Sequence, residues 1–147
     1  MDIIEMERTS GDFGFQAKDG NGHSLTTDTS IEKGGRDYGF RPMQLLLSAL
    51  GSCSGIDVIS ILKKQRQHID HFNIKIAGER EKDTVPSLWK SVTVSFELHG
   101  DVDEEKANKA VTLSMEKHCS VAETLRRGGT EIVWNVKVIN PEKILAQ

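Results

Sequence analysis

The chain has little of what marks several specialised classes of protein. Its 147 residues include two cysteines, three prolines and one tyrosine, and aromatic residues make up only 5%. Lysine and arginine number 19 against 22 aspartates and glutamates, a formal net charge of −3. A nucleic-acid-binding domain usually carries a basic patch or stripe, and here the basic residues are dispersed. We therefore expect no nucleic-acid partner.

Targeting signals and metal-binding spacings are also missing. The first residues, Met-Asp-Ile-Ile-Glu, lack the basic and apolar regions of a signal peptide. The main apolar run is interrupted by Gln44, by serines and glycines and by Asp57, so it does not resemble a membrane span. The spacing of cysteine and histidine matches no zinc motif. We predict a cytoplasmic protein with reduced thiols, no membrane partner, no metal and no cofactor.

The order of hydrophobic patterns predicts one α+β domain spanning 1–147. Apolar residues alternate with polar ones over 1–28, over two long segments after residue 70 and near the end of the chain, which predicts strands. Helical patterns are found over 42–64 and 101–117, and a capping-box spacing predicts a short helix that begins after Ser120. The resulting order, βββ-α-ββ-αα-β, predicts antiparallel sheets around the long helix.

The helix predicted over 42–64 is apolar nearly all the way round and carries a thiol in its middle. A helix without a polar face must be enclosed by the rest of the chain or by a partner. At about 100° per residue, Ser48, Gly51 and Gly55 form a strip of small residues where another helix could approach closely. Cys53 lies on the opposite side of this helix.

The two thiols, Cys53 and Cys119, are the main candidates for chemistry. Cys119 directly precedes the short helix and is next to His118, a setting that lowers a thiol pKa. Apolar neighbours raise the pKa of Cys53 unless a cation is supplied from elsewhere. Local sequence thus favours Cys119 as the more readily ionised thiol. Two unrelated, merely packed cysteines remain an open alternative, because free cysteine is often buried.

Two segments carry a resemblance to a known family. Pro42-Met-Gln-Leu-Leu-Leu-Ser-Ala-Leu-Gly-Ser-Cys-Ser-Gly-Ile-Asp-Val and Glu116-Lys-His-Cys-Ser-Val-Ala-Glu-Thr-Leu resemble the two cysteine motifs of the OsmC/Ohr superfamily of thiol peroxidases. The resemblance implies an OsmC-like fold around the long cysteine-bearing helix and an intertwined homodimer with active sites at the subunit interface. It also implies that Cys53 attacks the peroxide to form a sulfenic acid. Cys119 would then resolve it to a disulfide, which an external dithiol reduces.

The chain departs from the peroxidase branch of this family in two places. The arginine of that branch lies in the first β-hairpin, where this chain reads Thr9-Ser10-Gly11-Asp12. That branch has a glutamate ten residues before the first cysteine, which holds an arginine against the thiolate, whereas this chain has Met43. The remaining thiolate-supporting candidates are Arg8, Arg36 and Gln44, although ideal helical spacing turns Gln44 away from the thiol. The chain therefore resembles a divergent branch, acting on organic or inorganic hydroperoxides. The alternative is a non-catalytic protein that binds or senses a small apolar ligand at the dimer interface.

Overall fold

The computed structural model describes residues 1–141 and confirms the α+β class. The described residues divide into two compact units, the first ending at Leu46 and the second beginning at Leu47, with the boundary inside the longest helix. A short 3-10 helix, Ile31–Lys33, precedes that helix, and a π-helical turn, Ser114–His118, precedes the last one. The regular elements are β1 (Ile4–Ser10), β2 (Gly14–Asp19), β3 (Ser24–Thr27), α1 (Pro42–Lys64), β4 (His71–Arg80), β5 (Trp89–His99), α2 (Glu104–Leu113), α3 (Ser120–Arg127) and β6 (Glu131–Ile139).

The first unit contains the predicted antiparallel meander, in the order β1-β2-β3. After β3, the chain is organised by the carboxylate of Asp28, which is only 2% exposed. This carboxylate accepts hydrogen bonds from the backbone N–H groups of Thr29, Arg36 and Tyr38, at 2.7, 2.8 and 3.2 Å. Three donors from one loop satisfy a buried carboxylate, so Asp28 fixes the path of the chain towards α1.

The second unit contains a mixed sheet in the order β4-β5-β6. The pair β4–β5 is antiparallel as predicted, but β5 and β6 are parallel, with Val92 opposite Ile132 and Val94 opposite Trp134. The prediction of purely antiparallel sheets was therefore wrong for this pair. Two helices intervene between β5 and β6, and such a crossover carries the chain from the end of β5 back to the end of the sheet where β5 began. Period-two alternation reports which face is buried but not the direction of a strand.

The small-residue strip of α1 faces a strand rather than another helix. A Cβ atom added to Gly51 would lie 2.7 Å from Ile76 Cδ1, and one added to Gly55 would lie 2.8 Å from Ile74 Cδ1. Strand β4 therefore packs directly on the helix backbone. The expectation of a helix–helix contact there was wrong, because a strip of small residues shows where a close approach is possible but not which element makes it.

Part of α1 is left uncovered within the chain. Ile56 is 65% exposed and Ile59 is 38% exposed, although Leu50, Val58 and Leu62 are fully buried. By length and composition alone, α1 could cross a membrane. The core helix of a soluble protein meets the same two criteria. The described residues thus enclose one face of the helix, as a core requires, and leave apolar side chains on another.

The two later helices begin at residues that differ from those predicted. Helix α2 begins at Glu104 rather than at residue 101, because the Asp103 side chain accepts the Lys106 N–H and caps the helix. The N-cap of α3 is Cys119 and not Ser120, since the Cys119 sulfur accepts the Ala122 N–H at 3.4 Å. The capping-box interpretation was therefore displaced by one residue.

Candidate functional site

The structure brings the two cysteines together. Cys53 is half-buried in the middle of α1, and Cys119, only 3% exposed, lies at the start of α3. The Cys53 sulfur is 3.9 Å from the Ser120 hydroxyl oxygen. The Cys119 thiol and the backbone N–H of Val121 also influence this sulfur, because both lower the pKa of Cys53. The site therefore consists of one thiol on α1 that faces a second thiol and the first backbone N–H groups of α3.

A π-helical turn delivers Cys119 to this position. The Cys119 N–H donates to the carbonyl of Ser114, five residues earlier, at 2.8 Å. In a regular α-helix that N–H would bond to the carbonyl of Met115. That carbonyl instead accepts a hydrogen bond of 2.6 Å from the Arg126 guanidinium. From the sequence, Arg126 is expected only as a cation in the last turn of a helix. In the structure it also ties α3 back to the turn that precedes it.

The surroundings of Cys53 favour its ionised form. Burial raises the pKa of Cys53, but the N–H of Val121, the Cys119 thiol and the hydroxyl and N–H of Ser120 all lower it. The net result is a pKa below the ordinary thiol value of 9.0. These donors lie at the N-terminus of α3, where the helix dipole also favours a negative charge.

The surroundings of Cys119 have the opposite effect. Burial, followed by the neighbouring Cys53 sulfur, raises the pKa of Cys119 to about 11, although the N–H of Ala122 opposes the increase. Cys53 is therefore the more readily ionised thiol, and the ranking from local sequence was wrong. That ranking treated the start of α3 as the setting of Cys119 alone. A linear sequence does not show that the same N–H groups reach a cysteine on another helix.

A polar pair connects α1 to the segment that carries Cys119. The Asp57 carboxylate, one turn after Cys53, accepts a hydrogen bond of 2.9 Å from the Ser114 hydroxyl. Ser114 is fully buried, and its hydroxyl also lies 3.4 Å from the Ser54 carbonyl oxygen. In the sequence, Asp57 was noted only as a residue that interrupts the apolar run of α1. Its acidic character inside an apolar helix was the signal that it had a specific contact.

The three predicted thiolate-supporting residues belong to the unit Met1–Leu46. Arg8 lies on the exposed strand β1, and the Arg36 side chain lies against Gly11 while its N–H bonds to Asp28. The Gln44 side chain accepts the Arg41 N–H at 3.0 Å, which is the reciprocal half of a capping box at the start of α1. Their role at the thiolate stays a prediction. Within residues 1–141 no cluster of three or more His, Cys, Asp or Glu side chains could hold a metal ion.

Comparison with known proteins identifies the family. The model of the family described as OsmC-like protein matches residues 34–135. Protein YhfA of Escherichia coli K12 is 35% identical over 114 residues, covering 77% of this chain and 81% of YhfA. Among solved structures, a hypothetical protein from Aquifex aeolicus VF5 has a TM-score of 0.78 at 33% identity, covering 94% of this chain and 97% of the other. The organic hydroperoxide resistance protein OhrB of Bacillus subtilis shares the fold, with a TM-score of 0.65 at 21% identity over 93% of this chain and 98% of OhrB. The chain therefore belongs to the OsmC-like family.

Proposed function

We propose that this protein is a thiol peroxidase that reduces hydroperoxides through Cys53 and Cys119. The observation that carries the proposal is the contact between the Cys53 sulfur and the residues at the start of α3, one of which is the second thiol. A peroxidatic thiol must be ionised and within reach of the thiol that resolves it. Similarity in fold to a protein named for organic hydroperoxide resistance supports the same reaction class.

In the first step the Cys53 thiolate attacks one oxygen of the hydroperoxide. The S–O bond forms as the O–O bond breaks, and the other oxygen takes a proton and leaves as an alcohol, or as water from hydrogen peroxide. Cys53 is oxidised to a sulfenic acid. The N–H of Val121 and the Ser120 hydroxyl favour the thiolate that begins this step, in the absence of the family glutamate at Met43.

In the second step the Cys119 sulfur attacks the Cys53 sulfenic acid. The S–S bond forms, the S–O bond breaks, and the oxygen leaves as water. The ionised Cys53 raises the pKa of Cys119 before oxidation, and this charge is lost when Cys53 becomes a neutral sulfenic acid. Oxidation of Cys53 therefore makes Cys119 easier to ionise, so that the two thiols act in sequence. An external dithiol then reduces the disulfide and is itself oxidised to a disulfide.

We further propose that the protein acts as a cytoplasmic homodimer. The support is exposed apolar surface on both units: Ile56 on α1, and Ile4 and Met6 on β1. Large uncovered apolar patches on a folded domain usually mark an interface. Analytical ultracentrifugation should give twice the chain mass of 16.3 kDa, and Ile56→Glu should shift the mass towards that of the monomer. A wild-type protein that stays monomeric at micromolar concentration would exclude the dimer.

The peroxidase proposal is tested by hydroperoxide consumption with a dithiol as reductant. The reduced protein should consume cumene hydroperoxide or hydrogen peroxide, Cys53→Ser should abolish turnover, and the control Ser60→Ala, an exposed hydroxyl on the same helix, should retain it. Cys119→Ser should form a sulfenic acid at Cys53, visible as an added oxygen by intact mass. Equal consumption by the wild type and Cys53→Ser would exclude the peroxidase.

The second candidate function is non-catalytic binding of a small apolar ligand. An apolar cavity of about 400 Å³ in the first unit favours it, with Ile4, Met6 and Leu25 among its lining residues. Saturable binding of an apolar fluorescent probe, combined with no turnover of any hydroperoxide, would support this function over the first.

A further inference from the structure

We propose that the Asp57–Ser114 hydrogen bond positions the thiol of Cys119 for disulfide formation. This inference rests on the proposed function, because it concerns the second step of that reaction. Neither residue touches the reacting sulfur atoms through a described contact, so both act through the backbone that carries Cys119.

Ser114 connects Asp57 to Cys119. The Asp57 carboxylate accepts the Ser114 hydroxyl at 2.9 Å, which fixes the first residue of the π-helical turn against α1. The Ser114 carbonyl in turn accepts the Cys119 N–H at 2.8 Å. One residue therefore holds α1 through its side chain and Cys119 through its backbone.

Cys53, with which Cys119 must form the disulfide, lies on the same helix as Asp57. Asp57 follows Cys53 by four residues, which places both on neighbouring positions of one helix face. A fixed link from Asp57 to the turn therefore also fixes the distance between the turn and the Cys53 thiol. A hydrogen bond from a fully buried hydroxyl is suited to this, because water does not compete for the donor.

Arg126 provides a second link, on the other side of Cys119. Arg126 of α3 donates to the Met115 carbonyl, which the π-helical hydrogen bond leaves without its usual helical donor. The segment that carries Cys119 is thus held both to α1 and to α3. Extra residues in π-helical turns are often found at functional sites, and here the turn sets the direction in which Cys119 enters α3.

The test separates oxidation of Cys53 from closure of the disulfide. Reduced protein is mixed with cumene hydroperoxide and, in parallel, with diamide, which drives disulfide formation between thiols without any peroxidase chemistry. Sulfenic acid is trapped with dimedone, and disulfide is measured by non-reducing intact mass. The variants are Ser114→Ala and Asp57→Ala, with Ser114→Thr and Asp57→Asn as conservative versions that keep the donor or an acceptor oxygen.

We expect the alanine variants to close the disulfide roughly tenfold more slowly with either oxidant, since small displacements of reacting groups have effects of this size. The conservative variants should recover most of the rate. Dimedone labelling of Cys53 should increase in the alanine variants, because the sulfenic acid persists longer when the disulfide closes slowly. Ser54→Ala is the matched control, because it removes a buried hydroxyl that bonds only within α1 and should close at the wild-type rate.

Unchanged closure in both alanine variants would overturn the inference, as would an equal loss in Ser54→Ala. If the alanine variants do not fold, the rate of disulfide closure is compared between Arg126→Gln and the control Arg127→Gln, a substitution at an exposed neighbour. Equal closure rates for these two variants would count against positioning of Cys119. A wrong peroxidase proposal would give a different result, because the wild-type protein would then form no sulfenic acid with hydroperoxide. The rate of disulfide closure with diamide would still measure the effect of the Asp57 and Ser114 variants.

Discussion

The Cys119 sulfur accepts a hydrogen bond of 3.4 Å from the Ala122 N–H and is thereby the N-cap of α3. The second thiol of the site is therefore also a structural element of the helix that supports the first thiol. Its burial and the nearby Cys53 sulfur raise its pKa to about 11. A substitution of Cys119 therefore has two separate effects: loss of the second thiol changes the chemistry, and loss of the N-cap changes the stability of the fold.

We predict that Cys119→Ser and Cys119→Ala lose the disulfide equally but differ in stability. A serine hydroxyl can accept the Ala122 N–H in place of the sulfur, whereas alanine cannot, and loss of an N-cap costs about 1 kcal/mol. The serine variant should therefore unfold about 3 °C above the alanine variant. Differential scanning calorimetry of both reduced proteins checks this. Identical unfolding temperatures would mean that the sulfur does not act as a cap.

The two thiols should differ in their reaction with iodoacetamide as pH changes. The pKa of Cys53 is lowered from 9.0 and that of Cys119 is raised to about 11. Cys53 should therefore be alkylated first near neutral pH, and Cys119 only in alkaline solution. Peptide mass spectrometry at a series of pH values measures both rates. Equal labelling rates at neutral pH would contradict the assignment of Cys53 as the thiolate.

Removal of the Ser120 hydroxyl should make Cys53 harder to ionise. The hydroxyl is one of the donors that lower the pKa of Cys53, so Ser120→Ala should raise that pKa and shift the alkylation profile to higher pH. We expect alkylation near neutral pH to slow by about two- to tenfold, the range set by the net free energy of one hydrogen bond. The control is Thr124→Ala, whose hydroxyl bonds to the Ser120 carbonyl and not to Cys53. An equal slowing in both variants would assign the effect to α3 as a whole.

The loop that follows β3 should loosen in acid. The N–H of Arg36, with those of Tyr38 and Thr29, holds the pKa of Asp28 below its ordinary value of 3.8. A carboxyl with a lowered folded-state pKa stabilises the fold fully above its unfolded value, and this contribution is lost as pH falls through the folded-state value. Amide hydrogen exchange over 29–40 should therefore increase below pH 3.8. Asp28→Asn should remove this pH dependence, whereas Asp12→Asn, at an exposed turn, should keep it.

Gly78→Ala should destabilise the second sheet. A Cβ atom at Gly78 would lie 2.7 Å from Cζ3 and 2.8 Å from Cε3 of the Trp89 ring, which is rigid and buried. Overpacking of this kind costs about 1–3 kcal/mol, and chemical denaturation measures it. Gly20→Ala is the control, since nothing lies within 4 Å of its added Cβ. A similar unfolding free energy for both variants would show that the Trp89 ring moves away without cost.

The sequence alone determined the number and type of elements and the two candidate cysteines. Hydrophobic periodicity reports which side of an element is buried, and this is a local property that survives without tertiary information. The long helix with Cys53 and the short helix after Cys119 were therefore predictable, and the motif resemblance added the pairing of the two thiols. The same periodicity left undetermined the direction of β6, and it assigned the close approach at Gly51 to a helix instead of to β4.

Only the tertiary structure decided which thiol is the more easily ionised and what holds the other in place. Ionisation depends on the donors and the burial around a sulfur atom, and those around Cys53 come from Val121 and its neighbours on another helix. The contact of Asp57 with Ser114 likewise joins positions far apart in the chain. Hydrophobic periodicity, which determines each helix and strand, is a property of the local sequence. The electrostatics of a site depend on residues that come into contact only when the helices and strands pack together.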